Sequence, residues 1–180
     1  MAVSVACMCG ATRLGTRREV PSLAELNGLD RAAAGAALQQ CCGATRWVEG
    51  MLDGRPFASP AALFAAADRV WEHLKPEDWR QAFAQHPRIG TKGASVWSRQ
   101  EQKSVEGASQ EVLDALGRGN EEYAERFGWV FLICATGKSA AEMLAALRLR
   151  LVNDPVTELR LAATEHAKIT RMRLEKLLES

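Results

Sequence analysis

Trp129-Val130-Phe131-Leu132-Ile133-Cys134-Ala135 is the stretch on which the fold class turns. A short run this apolar suits a buried strand as well as a buried helix, because it carries no periodicity that separates the two. Its neighbours favour the helix. A lone strand among helical segments would leave its backbone amides with no sheet to pair with. On that reading the chain is all-α, a single domain of about eight helices.

The signals on either side are helical. Downstream, Ser139-Ala140-Ala141-Glu142 has the spacing of a capping box and begins a helix through Leu151. Asp154-Pro155 opens the last helix, where Leu159, Ala162, Ala163, His166, Ile169, Met172 and Leu174 recur at helical intervals. Upstream, Asn120 to Phe127 is a helix closed by Gly128, and Ser95 or Ser98 begins one that carries Glu101 and Gln102. Pro76 starts a helix through Trp79 and Phe83 that stops at His86, since the ring of Pro87 disfavours helical geometry in the residue before it. Ser59-Pro60 starts another, running to about His73. Thr45 caps Arg46 to Leu52, and Asp30 caps the alanine-rich run to Gln40, with Gly43 beyond. Residues 1–20 have weak periodicity and are expected to form a loosely ordered extension, leaving 21–180 as the helical domain.

Composition narrows the class. The 180 residues match one domain with a sizeable core, and 47% apolar with 25% charged residues is globular rather than disordered or fibrous. A formal net charge of +1 offers no general attraction to nucleic acid or an anionic membrane surface. No window approaches about eighteen uninterrupted apolar residues, so no membrane span is expected. Cys7, Cys9, Cys41, Cys42 and Cys134 fit neither a disulfide framework nor a metal knuckle. They read as reduced thiols, and with no apolar core after the basic residues of the N-terminal stretch the expected location is cytoplasmic.

Chemistry concentrates at His86-Pro87-Arg88-Ile89-Gly90 and at Trp97-Ser98-Arg99-Gln100-Glu101-Gln102. A histidine set before a proline, with an acid/amide pair on a later segment and glycines between, suits proton handling on a small polar molecule. A His-Pro pair alone marks only the polar end of a helix meeting a turn. Other features carry less. Gly137-Lys138-Ser139 lacks the first glycine of a phosphate loop, Leu132 standing in its place. His73 and His166 have no second ligand at metal spacing and read as surface or interhelix residues. Trp47, Trp71, Trp79, Trp97 and Trp129 read as core anchors, and Arg171, Arg173 and Lys176 as the wet face of the last helix.

These motifs, taken in order, resemble the 2-oxo-4-hydroxy-4-carboxy-5-ureidoimidazoline (OHCU) decarboxylases of urate breakdown. The resemblance runs from about Leu26 to Leu178 and includes the two stretches above, then Asn120, Tyr123, Arg126-Phe127-Gly128, Phe131, Ile133 and Gly137-Lys138-Ser139. Arg150-Leu151, Asn153-Asp154, Glu158-Leu159 and Lys168-Ile169 complete it. It implies an all-helical enzyme, without cofactor or metal and usually a homodimer, that converts OHCU to (S)-allantoin. His86 and Glu101 would be the catalytic pair, with Pro87, Ser98, Gln102, Arg150 and the Ile133 backbone around the ligand. Arg148 lies two residues from Arg150 and points to a different helix face, and Arg150 is preferred because it directly precedes Leu151.

The implied reaction explains why no electron sink is expected from outside. The carboxylate-bearing carbon of OHCU adjoins a C=N bond that can take up the electron pair, so the protein supplies orientation and proton transfer. Arg150 is expected to grip a ring carbonyl or the ureido oxygen, because a tight pair with the departing carboxylate would favour substrate over transition state. A helical module that binds a ureide without turning it over would keep the pocket but not need both His86 and Glu101. A ring hydrolase would call for a metal to activate water, and no ligand cluster is visible in the sequence.

Overall fold

Short polar side chains start most of the helices. In the computed structural model, which describes residues 22–86 and 108–179, Ser22 caps α1 (Leu23–Gly28), Asp30 caps α2 (Arg31–Cys41) and Ser59 caps α4 (Pro60–Glu72). Ser109, Ser139 and Asp154 do the same for α6 (Gln110–Phe127), α7 (Ala140–Leu151) and α8 (Pro155–Leu178). Each side-chain oxygen accepts from a first-turn amide that has no intrahelical partner. The remaining two helices are α3 (Thr45–Asp53) and α5 (Pro76–Phe83). Thr45 is the first residue of α3 rather than its cap: its N–H donates to the Gln81 side chain of α5 at 3.1 Å, so a neighbouring helix does the capping. The extension expected over residues 1–20, and Pro87, Ser98, Glu101 and Gln102 with their helix, lie outside the described residues.

Eight helices and no strand are found among the described residues, as the all-α reading expects. The run that decided that reading is nevertheless not helical. From Gly128 to Lys138 the chain is irregular, and side chains rather than a helix satisfy its backbone. The Cys134 N–H donates to Glu165 Oε2 at 2.8 Å, and the Leu132 carbonyl accepts from Arg150 Nη1 at 2.6 Å. Polar groups of α7 and α8 thus do the work that a strand partner or an intrahelical ladder would have done. Gly128, at φ 82°, ends α6 in the left-handed conformation that glycine adopts without penalty.

Helix α8 organises the packing. Its 24 residues span about 36 Å, and it contacts α2, α4 and α5, while α6 lies against α7. Leu38 and Cys41 of α2, Leu63 and Ala67 of α4, Ala82 and Phe83 of α5 and Ala162, Ala163, Ile169 and Leu174 of α8 are all buried. Arg173 is buried with them, 7% exposed, rather than on the wet face expected for it. It follows Ile169 and Thr170 on the inward side of the helix, where the spacing of four carries it into the core. No helix among the described residues is long and apolar enough to cross a membrane.

Candidate active site

His86 stands in the turn that closes α5. Its N–H donates to the Phe83 carbonyl at 3.0 Å, and its half-buried imidazole meets the ring of His166 on α8 edge to face, 4.9 Å between centroids at 71°. His166 is wholly buried. It stacks on Trp71 of α4 at 4.8 Å with planes only 5° apart, and lies 5.7 Å from the ring of Phe83. Its Nδ1 is 3.2 Å from Thr170 Oγ1, whereas its Nε2 has no hydrogen-bond partner among the described residues. Burial, helped by the Arg173 guanidinium, pushes the His86 imidazole down to about 3. Burial likewise holds His166 well below the ordinary imidazole range, and His86 and Arg173 act in the same direction. Both rings are therefore neutral near pH 7.

That neutrality has a cost in acid. An imidazole at 6.5 in the unfolded chain and about 3 in the folded one takes up its proton first in the unfolded state, so stability falls as pH drops from about 6.5 toward about 3. The thermal midpoint should be level between about pH 7 and pH 8 and decline steadily below about 6.5. A midpoint unchanged down to pH 4.5 in the wild type would contradict neutral burial of these rings.

Arg150, Glu158 and Tyr123 form a second polar centre. Glu158 is fully buried at the first turn of α8, and Arg150 Nε donates to its Oε1 at 2.7 Å, with Arg150 Nη2 at 2.5 Å from the same oxygen. The Tyr123 hydroxyl of α6 also donates to Oε1 and accepts from Arg150 Nη2 at 3.3 Å. Asn153 Nδ2 donates to Oε2 at 2.8 Å. Burial and the Glu158 carboxylate push the Tyr123 hydroxyl up, so it stays protonated as the donor. Arg150 turns inward, over the Phe131 ring at 4.8 Å, and Arg148 is exposed to solvent.

The irregular segment joins the two centres. Leu132 is held by Arg150 and Cys134 by Glu165, so the Ile133 backbone between them is fixed from both sides. Thr136 Oγ1 donates to Met172 Sδ at 3.0 Å, which carries the segment along α8. At its start, the buried Trp129 lies 6.3 Å from Phe83 and 5.7 Å from Phe127, tying it to α5 and α6. Glu158 and Glu165 are two helical turns apart on one flank of α8, with His166 next in sequence. About 12 Å of helix rise separates Glu158 from His166. The structure thus brings His86, Ile133 and Arg150 along one helix, and the other expected site residues, Pro87, Ser98, Glu101 and Gln102, lie outside the described residues.

Three residues of this region had no expected role: Glu158, Glu165 and His166. Glu158 and His166 share the apolar stripe of Leu159, Ala162 and Ala163, and a carboxylate and an imidazole on such a stripe are the signal that was available. Glu165, which fixes Cys134, offers no comparable signal. Among the described residues no group of three or more His, Cys, Asp or Glu side chains is arranged to hold a metal ion.

The profile of the OHCU decarboxylase family matches residues 27–175. The chain is 37% identical over 145 residues to the uric acid degradation bifunctional protein TTL of Arabidopsis thaliana, covering 76% of this chain and 45% of that one, so it spans under half the plant protein. It is 33% identical over 136 residues to the 2-oxo-4-hydroxy-4-carboxy-5-ureidoimidazoline decarboxylase of Amia calva, covering 70% and 76% respectively. A crystal structure of an OHCU decarboxylase in the presence of (S)-allantoin superimposes with a TM-score of 0.71 at 34% identity, over 79% of this chain and 96% of that one.

Proposed function

The chain belongs to the OHCU decarboxylase family, and from that premise we propose that it removes carbon dioxide from OHCU to give (S)-allantoin in the breakdown of urate. The observation that carries the proposal is the half-buried imidazole of His86, the family-motif histidine, held in the turn at the end of α5 against His166. A neutral imidazole can accept the proton of the 4-hydroxyl. The bond to the carboxylate then breaks with release of carbon dioxide, its electron pair moves into the adjacent C=N, whose nitrogen takes up a proton, and a second proton is delivered to one face of the carbon of that former C=N as the 4-carbonyl forms. Glu101 orients His86 or carries the second proton. Pro87, Ser98, Gln102 and the Ile133 backbone line the ligand, and amide and hydroxyl groups match the alternating carbonyl and N–H edge of a ureide.

Arg150 serves the same site in this proposal. Its hold on the Leu132 carbonyl keeps the neighbouring Ile133 backbone in place, and the guanidinium faces a ring carbonyl or the ureido oxygen rather than the leaving carboxylate. The homodimer and a cytoplasmic setting belong to the proposal too. The free thiols of Cys41, Cys42 and Cys134 support a reducing compartment. The test is to generate OHCU in place from urate with the two upstream enzymes and to follow its disappearance. Decay that accelerates in proportion to added protein is the expected result. Decay at the blank rate, with allantoin still bound, would favour a ureide-binding module instead.

A further inference from the structure

We propose that His166 is a positioning residue for His86: clamped by Trp71, Phe83 and Thr170, its ring fixes the plane of the His86 imidazole and keeps the inner side of that imidazole dry. The inference rests on His86 being the proton carrier proposed above. Its starting point is that packing alone gives no reason for a histidine here. A leucine or phenylalanine would fill the space without stranding a buried Nε2 away from water.

What the histidine adds is a ring that cannot turn. Trp71 lies flat against one face, with planes 5° apart, and Thr170 Oγ1 holds Nδ1 at 3.2 Å. Thr170 is itself buried, and it acts on the buried Cys42 thiol at the end of α2. The edge-to-face contact then passes this fixed orientation to His86, which otherwise sits in a turn after the last residue of α5. Among the described residues the titratable and charged groups around the pair are few. Arg173 on the same helix is the cation, and the Cys41 and Cys42 thiols of α2 are pushed up to about 12 by burial, so they stay neutral. Helices α4 and α5 present the rings of Trp71 and Phe83.

Two variants of the full chain separate the roles. His166→Ala removes the ring and admits water; His166→Phe keeps a ring of similar shape and excludes it. The readouts are kcat and KM for OHCU, and the pH titration of the His86 Cε1–H proton by NMR, which is readily assigned because the chain has 3 histidines. In His166→Ala, kcat should fall by about 10²-fold with little change in KM, as a misplacement of about 1 Å does. His86 should then titrate nearer its ordinary value of about 6.5. In His166→Phe, which keeps a flat ring against Trp71 but loses the Nδ1 contact with Thr170, the titration should return close to wild type and kcat should recover only in part. Should the alanine variant fail to fold, His166→Leu fills the space without a flat face, and kcat alone should drop.

A folded His166→Ala with unchanged kcat and unchanged His86 titration would overturn the proposal, as would a His166→Phe no better than alanine. If no variant, wild type included, accelerates OHCU decay while the NMR titrations shift as expected, the enzymatic reading fails and the ring contact stands.

Discussion

With His86 replaced by asparagine, kcat is expected to fall by roughly two to four orders of magnitude while the Kd for allantoin stays within a few-fold of wild type. Asparagine is polar and smaller, so it can stay in the turn after α5, yet it cannot take a proton. Each tenfold loss corresponds to about 1.4 kcal/mol of barrier, so the expected decrease amounts to about 3–6 kcal/mol of transition-state stabilisation, a range typical of a positioned general base. Burial keeps the half-buried His86 imidazole neutral in the resting protein, with the ring of His166 against it. A drop of less than about tenfold would move the proton-accepting role to another group, with Glu101 first in line. Steady-state kinetics on OHCU generated in place, with allantoin affinity measured by calorimetry, gives both numbers.

The second large effect is on stability. Replacing Glu158 with leucine leaves Arg150, Tyr123 and Asn153 without their common acceptor, and Arg150 keeps its charge in a site where its side chain is only 11% exposed. Breaking one member of a buried ion pair typically costs about 3–5 kcal/mol, most of which reflects the charge left behind. For a chain of this size the thermal midpoint should fall by roughly 10 °C. Pairing that change with Arg150→Met removes the stranded charge and should restore much of the loss, so the two substitutions should be strongly non-additive. Simple addition of the two single-variant losses in thermal melts would show that Arg150 and Glu158 do not act as a unit. The double variant should still lose activity, since Leu132 then has no guanidinium to hold its carbonyl.

How far the sequence revealed this arrangement depends on whether the deciding interaction was local. Caps are local, and Asp30, Ser59, Ser139 and Asp154 start helices where their spacing says they should. The start of α6 was hidden because Gly117 and Gly119 weaken the helical signal by about 1 kcal/mol each relative to alanine. Their reason is tertiary at one position: a Cβ on Gly119 would stand 2.6 Å from Leu147 Cδ2, so the glycine lets α7 approach closely. The run Trp129 to Ala135, ambiguous by itself and assigned to helix by its neighbours, is neither helix nor strand, because its backbone is satisfied by Glu165 and Arg150 from elements that follow it in the chain. No local pattern encodes that. Arg173 was misread by residue type, since an arginine is seldom buried, although its spacing from Ile169 and Thr170 pointed inward. At the site, His86 and Arg150 were recognisable from the family motif, whereas Glu165 and His166 act through contacts that only the packing of α8 against α4, α5 and the irregular segment creates.

The central claim is that this chain decarboxylates OHCU and protonates a single face of the ring. Following the circular dichroism of the product as OHCU is formed in the presence of catalytic amounts of the protein tests it most directly. The expected trace is prompt growth of the (S)-allantoin signal, absent with the His86→Asn chain. Slow formation of product with no optical activity, the same with and without the protein, would contradict it.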